Sequence, residues 1–215
     1  MTRPDVANAV RCVARHAHDP CERHWKAVLQ ILAYLNATRD LEITFRKREK
    51  FSLSVYADAD YAGKEADRRS ISGVPVMLGG AAVYATSRTQ HCVTLSTIEA
   101  EYVAITEGAK EGLFARSVLS FMTPRKNKVN SRVYEIDILE DNKGAKAMAE
   151  NPLGSGRSKH INVRWHFLRD LVGSGDAKIV HVASECQHAD VLTKALPATL
   201  FKRQRAALMN LPDSV

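Results

Sequence analysis

Phe51-Ser52-Leu53-Ser54-Val55-Tyr56 alternates apolar and polar side chains and then runs into Asp58-Ala59-Asp60-Tyr61-Ala62-Gly63, an acidic stretch that contains glycine. A period of two marks a strand with one buried face, so a strand is expected up to Tyr56 and a turn after it. Two further apolar runs, Ile71 to Leu78 and Ala81 to Ser87, are joined by Gly79-Gly80. A glycine pair tolerates the positive φ of a tight hairpin. Three antiparallel strands are therefore predicted between Phe51 and Arg88.

Towards the C-terminus the period changes. Ser96 or Thr97 can cap a helix whose first turns carry Glu99 and Glu101, where the helix dipole favours acids, and which runs to about Phe121 before Pro124. Val133 to Leu139 reads as a strand, Asn142 to Ala149 as a short helix and Val163 to Val172 as an amphipathic one. Ala177 to Val182 is the next strand, Gln187 to Ala195 opens a helix before Pro197, and Ala198 to Leu208 is a short helix after it. Towards the N-terminus, two helices are separated at Asp19-Pro20, Leu41 to Phe45 reads as a short strand, and Arg46 to Lys50 is a charged linker. Three meandering strands followed by helical crossovers predict an α/β fold: a five-stranded mixed sheet flanked by helices, with an N-terminal helical appendage.

Composition narrows the class. At 215 residues with 45% hydrophobic and 26% charged residues, the chain has the make-up of a folded domain and not of a collagen-like or largely disordered one. No apolar run approaches the roughly 20 residues of a bilayer helix, and no apolar region of a secretory signal follows Met1, so an intracellular protein without membrane contact is expected. The four cysteines, Cys12, Cys21, Cys92 and Cys186, are scattered and read as reduced thiols. A net charge of +7 suits a polyanionic partner.

Isolated acids fall at element ends: Asp58 after the first strand, Glu101 in the first turns of the long helix, Asp141 past the fourth strand and Asp190 near the start of a late helix. First and fourth strands can be neighbours in a mixed sheet, so the four can meet at one edge. Gathered carboxylates repel one another and call for bound cations. Hard oxygen donors without cysteine or histidine point to Mg²⁺ or Mn²⁺. Two such ions about 3.5–4 Å apart serve in-line displacement at a phosphodiester.

The wording around those acids resembles the ribonuclease H domain of copia-type retrotransposon polyproteins. The resemblance lies in Tyr56 to Gly63, Asp67-Arg68-Arg69-Ser70-Ile71-Ser72-Gly73, Leu95-Ser96-Thr97-Ile98-Glu99-Ala100-Glu101-Tyr102, Glu140-Asp141-Asn142-Lys143, Ser158 to Phe167 and Ala189 to Lys194, in that order. Thr2-Arg3-Pro4-Asp5 and His24-Trp25-Lys26-Ala27 through Tyr34-Leu35 resemble the tail of the reverse transcriptase that precedes the domain. The resemblance implies an RNase H-like fold at residues 51–197, a helical remnant of the reverse-transcriptase connection at 1–50, and a C-terminal helix and tail at 198–215. It implies hydrolysis of the RNA strand of an RNA–DNA hybrid with two divalent ions held by Asp58, Glu101, Asp141 and Asp190. The upstream reverse-transcriptase domain is the implied protein partner, and a cytoplasmic virus-like particle the implied setting.

Departures from the family wording are Glu140, where a small residue or cysteine is usual, Ile98, where serine or threonine is usual, and Lys194-Ala195-Leu196 in place of Lys-Pro-Leu. Glu140 puts an extra negative charge beside Asp141. The Tyr-X-Asp-Asp hairpin of a polymerase is missing, since Asp58 and Asp60 are separated by one residue, and the chain reads as a fragment that begins in the connection region.

Other residues keep two readings. Asp60 is either a fifth acid near the ions or a turn acid. On a helix Glu99 faces roughly 200° from Glu101, and Glu101 is assigned inward. His188 is either a catalytic helper or a polar helix-start residue. Lys159, His160 and Arg164 either track a phosphate backbone or are solvated while Trp165 and Phe167 pack. Cys12, His16, His18, Cys21 and His24 crowd together, but at no zinc-finger spacing. The rival to hydrolysis is a catalytically silent or repurposed nucleic-acid-binding module of the same fold.

Overall fold

The structure, a computed structural model, describes residues 2–47, 52–63, 68–122, 135–150 and 159–212, with only the backbone at 159–162. A short 3-10 turn at Pro4–Val6 leads into α1 (Ala7–Ala14) and α2 (Glu22–Ala37). The sheet follows as β1 (Leu53–Tyr56), β2 (Asp58–Asp60), β3 (Ile71–Leu78) and β4 (Ala81–Thr89), then α3 (Thr97–Met122), β5 (Ile136–Glu140), α4 (Lys143–Glu150), α5 (Lys159–Gly173), β6 (Ala177–His181) and α6 (Ala198–Met209). Antiparallel β3 pairs with β1, β2 and β4, while β5 lies parallel to both β1 and β6. This is the mixed α/β sheet expected, with helices on both faces. No helix among the described residues is long and apolar enough to cross a membrane.

β1 and β2 are one strand interrupted at Ala57. Leu53 pairs with Leu78 and Asp58 with Gly73 in an unbroken register along β3. The turn expected at Asp58 is therefore corrected: pairing with β3 keeps Asp58 to Asp60 extended, and the chain turns at Tyr61-Ala62, where Ala62 has φ of 51°. The predicted hairpin stands at Gly79 and Gly80, with φ of 60° and 89°.

Alternation of the pleat sorts side chains between two cores. Leu53, Val55, Ala57 and Ala59 join Ile136, Ile138 and Ile179 against α3, α4 and α5. Tyr56 joins Met77, Ala85, Leu192, Leu208 and Phe201 on the opposite face, beneath α1 and α6. α3 can lie close because Gly108 and Gly112 face the sheet, where a Cβ would come within 2.9 Å of Val55 and of Ile136. Ser96 is its cap: Ser96 Oγ accepts from Glu99 N at 3.2 Å, and Glu99 Oε2 accepts from Leu95 N at 2.7 Å.

Two other expectations are corrected. Leu41 to Phe45 is no strand, because both backbone groups of Thr44 are taken by the end of α6: Thr44 N donates to Met209 O at 2.9 Å, and Asn210 Nδ2 donates to Thr44 O at 2.7 Å. The helix predicted from Gln187 is a 3-10 turn, His188–Leu192. Gln187 anchors it, donating to Ala57 O at 2.8 Å and accepting from Ala189 N at 3.3 Å. The N-terminal segment is bound by a polar network. Buried Asp5 accepts from Arg3 at 2.8 Å and from Tyr34 Oη at 2.6 Å, and Arg205 of α6 donates to Tyr34 Oη at 2.9 Å. Burial works against the charge of Asp5, but these donors outweigh it and hold the carboxyl below its ordinary value.

Candidate active site

The parallel pairing of β1 with β5 brings two remote acids to one end of the sheet. Tyr56 pairs with Leu139, and Ala57 N donates to Leu139 O at 3.1 Å, so Asp58 and Asp141 leave the sheet side by side. Asp141 is fixed by its neighbours: Asn142 caps α4, its Oδ1 accepting from Gly144 N at 2.9 Å and Ala145 N at 3.0 Å. Glu101 comes from the first turns of α3, two residues from Glu99, and points inward as assigned. One carboxylate oxygen from each of Asp58, Glu101 and Asp141 lies within 4.8 Å of the others, and among the described residues no other trio of possible metal donors does so.

Asp190 arrives from the other face. Gly73 makes room for the 3-10 turn that carries it, since a Cβ there would meet Thr193 Cγ2 at 2.7 Å and Ala189 O at 2.8 Å. Asp190 stands outside the trio and connects to it through cationic Lys194, whose Nζ is 2.9 Å from Asp190 Oδ1 and 3.7 Å from Asp58 Oδ1. Thr193 Oγ1 donates to Asp58 Oδ2.

Glu140, expected from the sequence as an extra negative charge beside Asp141, has a burial that the sequence reading did not give. It is fully buried, with Oε1 accepting from Asn142 N at 2.9 Å and Oε2 without a hydrogen-bond partner. The signal was available in the pleat: Ile136, Ile138 and Glu140 share the face turned to α3.

The electrostatics are those of crowded, dry carboxylates. Burial first, then the charges of Glu140, Asp58 and Asp141, push Glu101 up to about 10. Glu140 is pushed up to about 9, again mainly by burial. Asp190 is raised to about 6 by burial and Asp58, against the pull of Lys194, and burial also raises Asp58. Protons do here what cations would do, because so many negative charges cannot share a buried site unneutralised. The residues fit a hard divalent ion on this structure's own terms. The donors are all oxygens, three converge within 4.8 Å, and buried Glu101 Oε2 has no hydrogen-bond partner.

The remaining candidates fall elsewhere. His188 packs its ring against Tyr56 at 4.5 Å and bonds through Nδ1 to Gln204 of α6. Burial lowers its pKa, and none of the four acids contributes to the shift. Half-buried Asp60 ends β2. The side chains of Lys159 and His160 lie outside the described residues. Arg164 Nη1 donates to Cys92 Sγ at 3.1 Å, while Trp165 stacks edge-on to Tyr102 at 6.1 Å and packs on the first core with Phe167. His16 and His24 stack at 3.9 Å with Cys21 Sγ 3.8 Å from His24 Nε2, and the N-terminal cysteines and histidines form no three-donor group.

No family model matches the chain. The retrovirus-related Pol polyprotein from transposon TNT 1-94 of Nicotiana tabacum is 35% identical over 201 residues, which is 94% of this chain and 14% of that protein. The Pol polyprotein from transposon RE1 of Arabidopsis thaliana is 36% identical over 202 residues, 94% of this chain and 13% of that protein. Among solved structures, RNase H1 of Halobacterium salinarum is 16% identical with a TM-score of 0.45, covering 66% of this chain and 94% of that one. The chain thus spans only a seventh or less of the length of these two polyproteins. With 35% and 36% identity across 94% of its length, its homologues are retrovirus-related Pol polyproteins of copia-type transposons.

Proposed function

We propose that the chain hydrolyses the RNA strand of RNA–DNA hybrids with divalent metal ions, Mg²⁺ or Mn²⁺, held by Asp58, Glu101, Asp141 and Asp190. The hydrolytic unit in this reading is residues 51–197, with 1–50 a helical remnant of the reverse-transcriptase connection and 198–215 a C-terminal helix and tail. The observation that carries it is the convergence of Asp58, Glu101 and Asp141 within 4.8 Å from three separate elements. An ion held by these oxygens would supply an activated water and neutralise charge on the departing oxygen. The chain's own groups do the rest. Asn142 and Glu140 brace Asp141 at the mouth of β5. Thr193 orients Asp58 by donating to Oδ2. Glu101, whose buried Oε2 has no hydrogen-bond partner, would offer that oxygen to such an ion.

The net charge of +7 supports a polyanionic substrate. Contacts to backbone and 2′-hydroxyl groups would bring little sequence preference. The test is cleavage of a labelled hybrid in Mg²⁺ by the chain and by its Asp141→Asn variant. The wild type is expected to cut the RNA strand and the variant to lose about 10²-fold or more. Binding by both without cutting by either would instead favour the silent nucleic-acid-binding module, and equal cutting of duplex DNA would overturn the hybrid specificity.

A further inference from the structure

Lys194 is the residue of this site that the carboxylate account leaves unused. Its ammonium lies 2.9 Å from Asp190 Oδ1 and 3.7 Å from Asp58 Oδ1, and its side chain is 43% exposed where theirs are 4% and 8% exposed. The 3-10 turn sets this position: Lys194 N donates to Asp190 O at 3.1 Å, and the preceding residue, Thr193, holds the other oxygen of Asp58. Among the described residues no other cation pairs with Asp190. The space between Asp58 and Asp190, where an ion shared by those two acids would sit, thus holds a positive charge supplied by the chain.

We infer that Lys194 is a resident counter-cation that a divalent ion must displace in order to bridge Asp58 and Asp190. The inference rests on the metal-binding reading above and adds an order to it. An ion held by Asp58, Glu101 and Asp141 would meet Lys194 only at the 3.7 Å contact with Asp58, and not at the 2.9 Å pair with Asp190. An ion shared with Asp190 enters only as Lys194 swings out. The side chain suits this exchange. An ammonium has donors but no lone pair and cannot share an ion, and its flexible four-carbon stem is already in contact with solvent. Lys194 therefore acts as a positioning residue that separates a tighter ion site from a weaker one.

Mn²⁺ titration of the full chain, followed by calorimetry and by the electron paramagnetic resonance of free Mn²⁺, tests this with Lys194→Met and Lys194→Arg. Lys194→Met keeps the stem and removes the charge. The wild type is expected to show a tight and a weak site. In Lys194→Met the weak site tightens by roughly tenfold, the order of one charge-assisted pair, while the tight site stays within about twofold. Lys194→Arg retains the weak site. The ion-free Lys194→Met chain also melts lower than the wild type, and Mn²⁺ raises its melting point more. Identical isotherms for wild type and Lys194→Met, a weak site that is lost with the lysine, or a single site in both chains would each overturn the inference while leaving the metal reading intact. Absence of binding in every chain would overturn the metal reading and the inference with it.

Discussion

Replacing Glu101 with glutamine probes the crowding of the cluster without any substrate. Glu101 is pushed up to about 10 in the folded chain, against roughly 4.3 for a free glutamate. Between pH 6 and pH 8 the native state therefore holds a proton that the unfolded chain has lost. A raised acid stabilises the fold fully below its unfolded value, and that stabilisation is lost as pH climbs through the folded value. The slope is ~1.4 kcal/mol per pH unit for each such proton. Glu101 alone thus accounts for ~3 kcal/mol between pH 6 and pH 8, and Glu140, raised to about 9, for a comparable further loss. For a chain of this size the sum corresponds to a fall in melting temperature on the order of 10 °C. His188, lowered mainly by its burial, works in the opposite direction, but it is common to wild type and variant and cancels in their difference. The assay is unfolding by urea and by heat in EDTA at pH 6, 7 and 8. Glu101→Gln should show about half the wild-type pH slope. Saturating Mg²⁺ should flatten the wild-type slope, because the ion displaces the protons. Equal slopes for wild type and variant in EDTA would refute the reasoning.

Gly73→Ala should cost about 1–3 kcal/mol in urea unfolding, since its Cβ would press on Thr193, Leu192 and the Ala189 carbonyl. It should also slow hybrid cleavage more than Gly112→Ala does, because the segment displaced is the one that carries Asp190. Tyr34→Phe removes the hydroxyl between Asp5 and Arg205. It should lower stability by about 1 kcal/mol in thermal melts while leaving cleavage unchanged.

The strand pairs and the long helix were legible because their signals are local. Alternation in Phe51 to Tyr56, the Gly79-Gly80 hairpin and the Ser96 cap each act within a few residues. The trio of acids was legible because Asp58 follows the alternating run, Glu101 lies in the first turns of α3 and Asp141 follows β5, and parallel pairing of β1 with β5 made neighbours of Asp58 and Asp141. What escaped is what depends on partners remote in sequence. Asp58 stays extended because β3 pairs with it, and Thr44 forms no strand because α6 takes both its backbone groups. Gln187 reaches across to Ala57 and leaves the segment carrying Asp190 in a 3-10 turn in place of the α-helix its composition suggests. Lys194 belongs to the family wording with no role readable from it, and only the fold shows it placed between two acids.

A crystal soaked in Mn²⁺, with data collected at the manganese absorption edge, tests the central claim most directly. The account predicts an anomalous peak bounded by carboxylate oxygens of Asp58, Glu101 and Asp141, absent when Asp58→Asn crystals are treated the same way. Manganese peaks only at surface acids, with no ion bounded by these three side chains, would contradict it.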